Sequence, residues 1–259
     1  MLVEAQLKVF LINLDRRPDR LAEMTERLNA LGLEFERISA FDGSTQPSLH
    51  LVDWVKATIF NFFVVPSAGV IGCYQSHKFV WQRIVDDQTT QALVLEDDAM
   101  PVDWDPVVLK VELADIGIDL LRLEATDFRH PIGQADEIKL IGRQLCNIQT
   151  SGAAAYVISA GGARKCLSLG KFWFPADTYD VVGQLTGLKS AVLIPAMWHQ
   201  SQSVSDLRDG QNDSKSDFGK VLRVGREFFW RVRRPWLRAA RKLLVNFEVW
   251  RVRNKVVGK

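Results

Sequence analysis

Three consecutive carboxylates, Glu96, Asp97 and Asp98, follow a four-residue apolar run at 92–95. An acidic triplet behind a buried strand puts charge at the carboxyl edge of a sheet, where open α/β folds hold their ligands. Hard divalent cations such as Mg²⁺ and Mn²⁺ take oxygen ligands, and a short carboxylate cluster can bridge such an ion to the phosphates of a substrate. Taken alone, the triplet reads equally well as a solvated turn with helix-capping acids. Arg17 and Arg20 have the planar guanidinium that suits diphosphate oxygens, and by position they are also ordinary first-turn residues of a helix. Ser76 and His77 lie on a partly apolar helix, where a lone histidine is commonly a packed core residue. Asp177 follows Pro175, as a helix N-terminal acid would, and Asp180 comes three residues later.

The elements that must position these groups are legible from periodicity. Residues 8–14 read as a buried strand, and Leu21, Met24, Leu28 and Leu31 follow at helical spacing between Pro18 and a stop at Gly32. A second short strand at 35–39 ends in the turn signal Asp42-Gly43. Val70, Cys73, Tyr74, Val80, Trp81 and Ile84 predict an amphipathic helix over 69–87, which feeds the 92–95 strand. Further strands are expected at 118–123, 153–158 and 191–194, with helices beginning near Ser159 and Asp177. Alternation of strand and helix predicts an α/β fold whose central sheet is mostly parallel and covered on both faces.

With these elements in place, the chain resembles glycosyltransferase family 25, the lipooligosaccharide and collagen-type galactosyl- and glucosyltransferases. Four segments carry the likeness: Ile12-Asn13-Leu14-Asp15-Arg16-Arg17-Pro18-Asp19-Arg20; the helix from Gly72-Cys73 to Ser76-His77; Leu93-Val94-Leu95-Glu96-Asp97-Asp98; and Ser151-Gly152 through Tyr156 with Pro175-Ala176-Asp177. The resemblance implies a GT-A type nucleotide-sugar fold, a UDP-sugar donor, Mn²⁺ or Mg²⁺, and transfer of galactose or glucose with inversion. It maps Asn13, Arg17, Arg20, Ser76, His77, Glu96 and Asp97 onto the donor nucleotide, and Asp98, Glu96 and a late histidine, His199, onto the metal. An inverting transfer needs a base near the acceptor hydroxyl. Asp177 matches the family's Pro-x-Asp segment and takes that role, with Asp180, Asp119 and Asp127 in reserve.

Composition agrees with an enzyme-sized globular chain: 259 residues, 47% hydrophobic and 25% charged, which excludes collagenous, wholly disordered and polytopic membrane classes. Cys73, Cys146 and Cys166 form no C-x-x-C pair and fit a reducing cytoplasm. A basic leader and a spanning apolar run are both lacking, so neither export nor membrane crossing is expected. Charge is split along the chain. Residues 220–259 hold 13 of the 33 Lys+Arg and only Glu227 and Glu248 among the acids, a net +11 against −9 for 1–219. The expected organisation is a glycosyltransferase domain over 1–219, ending in a mobile loop or linker at 200–219, and a basic aromatic tail of two amphipathic helices over 220–259.

Basic residues facing an aromatic and aliphatic stripe suit a helix lying on an anionic membrane, where each cation near the surface contributes about 1 kcal/mol. Nucleic-acid binding and packing against the body or a second subunit are the other readings of such a tail, and no nucleic acid is expected. The whole then reads as a cytoplasmic transferase, peripheral on the inner face of the inner membrane, that extends the core oligosaccharide of a lipopolysaccharide. The alternatives are a catalytically silent family member serving as a binding module, and a metal-dependent phosphotransferase or nuclease.

Overall fold

The structure is a computed structural model; it describes residues 7–60, 66–124, 138–140, 143–146 and 152–201, and Leu243, Asn246 and Phe247 in the tail. In chain order the elements are β1 (Lys8–Asn13), α1 (Pro18–Ala30), β2 (Glu36–Ser39), α2 (Trp54–Phe60), α3 (Ala68–Asp86), β3 (Gln91–Glu96), β4 (Ala99–Pro101), β5 (Leu120–Arg122), β6 (Ile138–Leu140), β7 (Arg143–Cys146), β8 (Ala155–Ser159), α4 (Ala160–Leu167), α5 (Tyr179–Thr186), β9 (Ser190–Ile194) and β10 (Trp198–Gln200). Asp127 and residues 202–219 lie outside the described residues, as does the tail apart from those three positions. Among the described residues, no helix is long and apolar enough to cross a membrane.

Eight strands form one sheet in the order β2-β1-β3-β8-β5-β9-β7-β6. The pairings β1·β2, β1·β3 and β5·β9 are parallel; β3·β8, β5·β8, β7·β9 and β6·β7 are antiparallel. Six strands therefore run one way, with β8 and β7 reversed. The sheet is thus mostly parallel in strand direction, as expected, with β8 wedged antiparallel between β3 and β5.

Period-two alternation explains why both faces are covered. Phe10 and Ile12 of β1, Val94 of β3 and Ile158 of β8 turn to one side, where α3, α4 and α5 pack. Val9 and Leu11, Leu93 and Leu95, and Val157 turn to the other, against Met24 and Leu28 of α1 and the buried Trp198. Proline opens α1, as the sequence predicts, and Ser67 caps α3 by accepting the Val70 N–H at 3.3 Å. The helix expected near Asp177 starts two residues later, at Tyr179, because Thr178 folds back on the Pro175 carbonyl through its hydroxyl at 2.6 Å.

One close approach shapes the site. The turn after β2 runs directly over α3, and a Cβ on Gly72 would meet the Phe41 carbonyl oxygen at 2.7 Å and the Gly43 nitrogen at 3.0 Å. Both obstacles are backbone atoms, so no rotamer change relieves them. Gly72→Ala is expected to lower stability by about 1–3 kcal/mol, the usual cost of overpacking, in spite of alanine's better helix propensity. Urea denaturation of the two proteins measures this, and an unchanged or higher midpoint would contradict the packing described.

Candidate functional site

Strands that run in one direction end at one edge. The chain leaving β1, β3 and β5 there carries Asn13 to Arg20, Glu96 to Asp98, and Glu124, while β8, running the other way, begins at the same edge. A cavity of about 730 Å³ opens at this edge and is lined by Arg16, Arg20, Cys73, Ser76, His77, Glu96, Asp97, Asp98 and Gln200, among others. The turn at 41–44 and the start of α3 form its far wall.

The acids divide their tasks. Asp97 is the anchored one: its carboxylate accepts from Arg20 Nη1 at 3.0 Å and from Asn13 Nδ2 at 2.8 Å, with Arg20 and Asp97 side chains only 10% and 11% exposed. Asn13 is buried and also donates to the Arg17 carbonyl at 3.0 Å while accepting from Arg37 Nε at 3.0 Å, so it braces the cavity wall from behind. Glu96 accepts from His77 Nε2 at 2.8 Å, and His77 Nδ1 meets the Tyr156 hydroxyl at 2.9 Å. The Trp81 indole can only donate, at 3.0 Å to the same phenol oxygen. Tyr156 is then free to donate to Nδ1, which leaves the His77 proton on Nε2 facing Glu96.

Asp98 is the acid left least satisfied. Its Oδ2 accepts from Gln200 Nε2 at 2.9 Å, and its Oδ1 is buried with no hydrogen-bond partner. Desolvation, reinforced by the Glu96 charge, pushes its pKa up to about 7. Glu124, fully buried beyond β5, accepts from the Ala154 N–H at 2.6 Å on one oxygen and has no partner on the other. Burial first, and then Glu96, raises it to about 8.

The remaining sequence-predicted residues are spread more widely. Ser76 sits under the cavity floor, accepting from the Phe41 N–H at 2.9 Å and donating to the Gly72 carbonyl at 2.8 Å. Arg17 pairs with Asp19 at 2.7 Å away from the cavity, whereas Arg16, which the sequence reading passed over, lines it beside Asp42 at 2.8 Å. His199 falls on the exposed side of β10; alternation turns its neighbour Gln200 toward Asp98 instead. Asp177 accepts from the Gly152 N–H at 3.2 Å, and its charge reaches both Cys73 and Arg122. It precedes α5 while Asp180 lies in that helix's first turn, so the two do not share a helical face, and neither lines the cavity. Asp119 is committed to Lys165 at 2.7 Å and the Lys189 N–H at 2.8 Å. Glu124 was findable: an acid just past an apolar strand repeats the pattern that marks Glu96.

Residues 6–103 match the family model described as Glycosyltransferase family 25 (LPS biosynthesis protein). A "Glycosyltransferase 25 family member" of Aedes aegypti is 29% identical over 171 residues, covering 61% of this chain and 27% of the relative. "Procollagen galactosyltransferase 2" of Mus musculus is 31% identical over 102 residues, 35% of this chain and 15% of the relative. "Inactive glycosyltransferase 25 family member 3" of the same species is 27% identical over 172 residues, 62% and 28%. The matched segment holds the cavity arginines, the α3 helix and the carboxylate triplet, so the likeness to glycosyltransferase family 25 falls on the cavity itself. The chain spans 27% of the length of the mosquito relative.

A raised carboxyl pKa makes stability depend on pH. Asp98 binds its proton more tightly folded than unfolded, about 7 against an ordinary 3.8, so its contribution is fully present below about pH 4 and is lost as pH rises through about 7. Asp98→Asn removes this dependence. At pH 8, without added metal, the variant is expected to be more stable than the parent by about 1–4 kcal/mol, and at pH 4 the two are expected to converge. Thermal melts across that range check the sign.

Proposed function

We propose that this chain transfers galactose or glucose from a UDP-sugar, with inversion at the anomeric carbon, onto the core oligosaccharide of a lipopolysaccharide-type acceptor, on a GT-A type framework. The observation that carries the reading is the convergence of Glu96, Asp98, Arg16 and Arg20 on one cavity at the carboxyl edge of the sheet. Its volume of about 730 Å³ and its mixture of carboxylates and guanidinium groups suit a nucleoside diphosphate better than a small neutral ligand. The match of residues 6–103 to the family model and the galactosyltransferase name of one relative support the transfer reading.

A divalent cation fits the residues present. Asp98 Oδ1 is buried without a partner, Glu96 stands two residues away on the same wall, and both offer the hard oxygen that Mn²⁺ and Mg²⁺ prefer. Bound by Glu96 and Asp98, the ion would neutralise the charge of the leaving diphosphate. Arg16 lines the same cavity, where its guanidinium would meet phosphate oxygens, and Arg20 holds Asp97 between the two flanking acids. Asp177 stands behind the cavity lining, fixed by the Gly152 amide and near enough for its charge to act on the lining residue Cys73; as the acid held on that side it takes the proton of the acceptor hydroxyl as the new C–O bond forms. The bond to UDP breaks in the same displacement, and UDP leaves with the electron pair.

The competing reading is a silent family member that binds without turnover, favoured by the relative named inactive. UDP release from a panel of UDP-sugars with Mn²⁺ or Mg²⁺ separates the two. Release is expected with UDP-galactose or UDP-glucose, is abolished by chelator, and falls by a factor on the order of 10² or more in Asp98→Ala. Asp177→Asn is expected to lower turnover by a similar factor with little change in UDP affinity. No release with any donor under either metal would favour the silent reading.

We further propose that the tail holds the enzyme on the cytoplasmic face of an anionic membrane. Leu243 and Phe247, four residues apart in helical conformation and 69% and 55% exposed, support an apolar stripe on a segment of net charge +11. Replacing Arg238, Arg241 and Lys242 by Glu is expected to release the protein from anionic vesicles while neutral vesicles show little difference. Equal binding of both proteins to anionic vesicles would refute the attachment.

A further inference from the structure

We infer that Cys73, His77 and Glu96 form a second metal site in the cavity, one that takes zinc or another thiophilic dication through one sulfur, one nitrogen and one oxygen. Cys73 and His77 are four residues apart on α3, so both present to the carboxyl end of β3 where Glu96 stands. The Cys73 Sγ, a His77 ring nitrogen and a Glu96 carboxylate oxygen all lie within 4.8 Å of one another. Glu96 Oε1 is 2.8 Å from His77 Nε2 and 3.7 Å from Cys73 Sγ. Bonds to zinc of about 2.0–2.3 Å place tetrahedral ligand atoms roughly 3–4 Å apart, so the trio needs only small adjustments to surround an ion. All three residues line the cavity, which leaves the fourth position open to water or to a ligand.

The support behind the histidine is already built. A metal-bound imidazole needs its second nitrogen held by a partner, and His77 Nδ1 is 2.9 Å from the Tyr156 hydroxyl. On metal binding the imidazole proton moves from Nε2 to Nδ1, and the phenol oxygen has a lone pair for it besides the one that takes Trp81 Nε1–H. The Cys73 proton leaves to solvent, and the dication offsets the surrounding carboxylates. Thiolate and imidazole select a softer ion than the all-oxygen pair Glu96–Asp98 would. Glu96 belongs to both sets, so an ion held by Cys73 and His77 competes for this carboxylate with one held at Glu96 and Asp98. This last clause rests on the transferase reading; the site itself does not.

Cobalt titrated into the full chain, with no sugar nucleotide present, reads the site directly. The wild type is expected to show a thiolate-to-Co²⁺ charge-transfer band with the visible bands of a tetrahedral centre, displaced by Zn²⁺ and not by equal Mn²⁺. Cys73→Ala should lose the charge-transfer band; His77→Gln should keep it with at least about tenfold weaker Co²⁺ affinity. Cys73→Ser, folded by circular dichroism, replaces the alanine variant if that one is unstable. No band in folded wild type, or a band that survives loss of the Cys73 thiol, overturns the site. In the UDP-release assay, Zn²⁺ should inhibit the wild type at least about tenfold more strongly than Cys73→Ala, each measured against its own Mn²⁺-supported rate. Equal inhibition overturns the sharing of Glu96. Absence of UDP release refutes the transferase reading instead, and the cobalt spectrum still decides the site.

Discussion

A carboxylate among apolar strands must be held or neutralised, and the ligand edge of this protein rests on how one of them is held. Asp97 is bound by the Arg20 guanidinium from the start of α1 and by the Asn13 amide at the end of β1. Removing one partner of such a buried pair typically costs about 3–5 kcal/mol, because the other charge is left bare. With the middle acid tied to Arg20 and Asn13 at the cavity wall, Glu96 and Asp98 flank it on the same cavity. The pair therefore fixes the middle of the triplet from which both neighbours project.

Much of this was legible in the sequence because it depends on local periodicity. The strand at 8–13, the helix at 18–30, the long helix at 68–86 and the strand at 91–96 follow from apolar spacing, proline and capping residues. What escaped depends on pairing between distant segments. Strands of three or four residues such as β4, β6, β7 and β10 are too short to show a period and exist only because a partner strand lies beside them. The reversed direction of β8 leaves no mark in its own residues, since a strand buried on both faces reads the same either way.

The site divides along the same line. Glu96 and Asp98 are legible from an acidic cluster behind an apolar strand, whereas the anchoring of Asp97 needs Arg20 and Asn13 in space. His199 drew attention as a potential ligand, yet the pleat of β10 gives the inward position to Gln200, and no property of either residue alone decides that. Glu124 stands level with the triplet only because β5 pairs with β8, and β8 with β3. Among the described residues, Asp98 and Glu124 have raised pKa values, so this edge is where burial and mutual repulsion impose an electrostatic cost on the fold.

The reversed strand β8 also bears on how the acids at this edge are held. In a purely parallel sheet only the connections that leave strands open on the ligand side; those that arrive open on the opposite side. Here β8 arrives where β3 and β5 depart, and the Ala154 backbone serves both neighbours, accepting from the Glu96 N–H at 2.8 Å and donating to Glu124 at 2.6 Å. Residues 152–154, which lead into β8, are thereby delivered to the same edge as the carboxylates, although they come from a segment far along the chain from the triplet. A backbone arriving at that edge thus fixes an acid on a strand that departs from it, a mutual support that a purely parallel sheet does not offer.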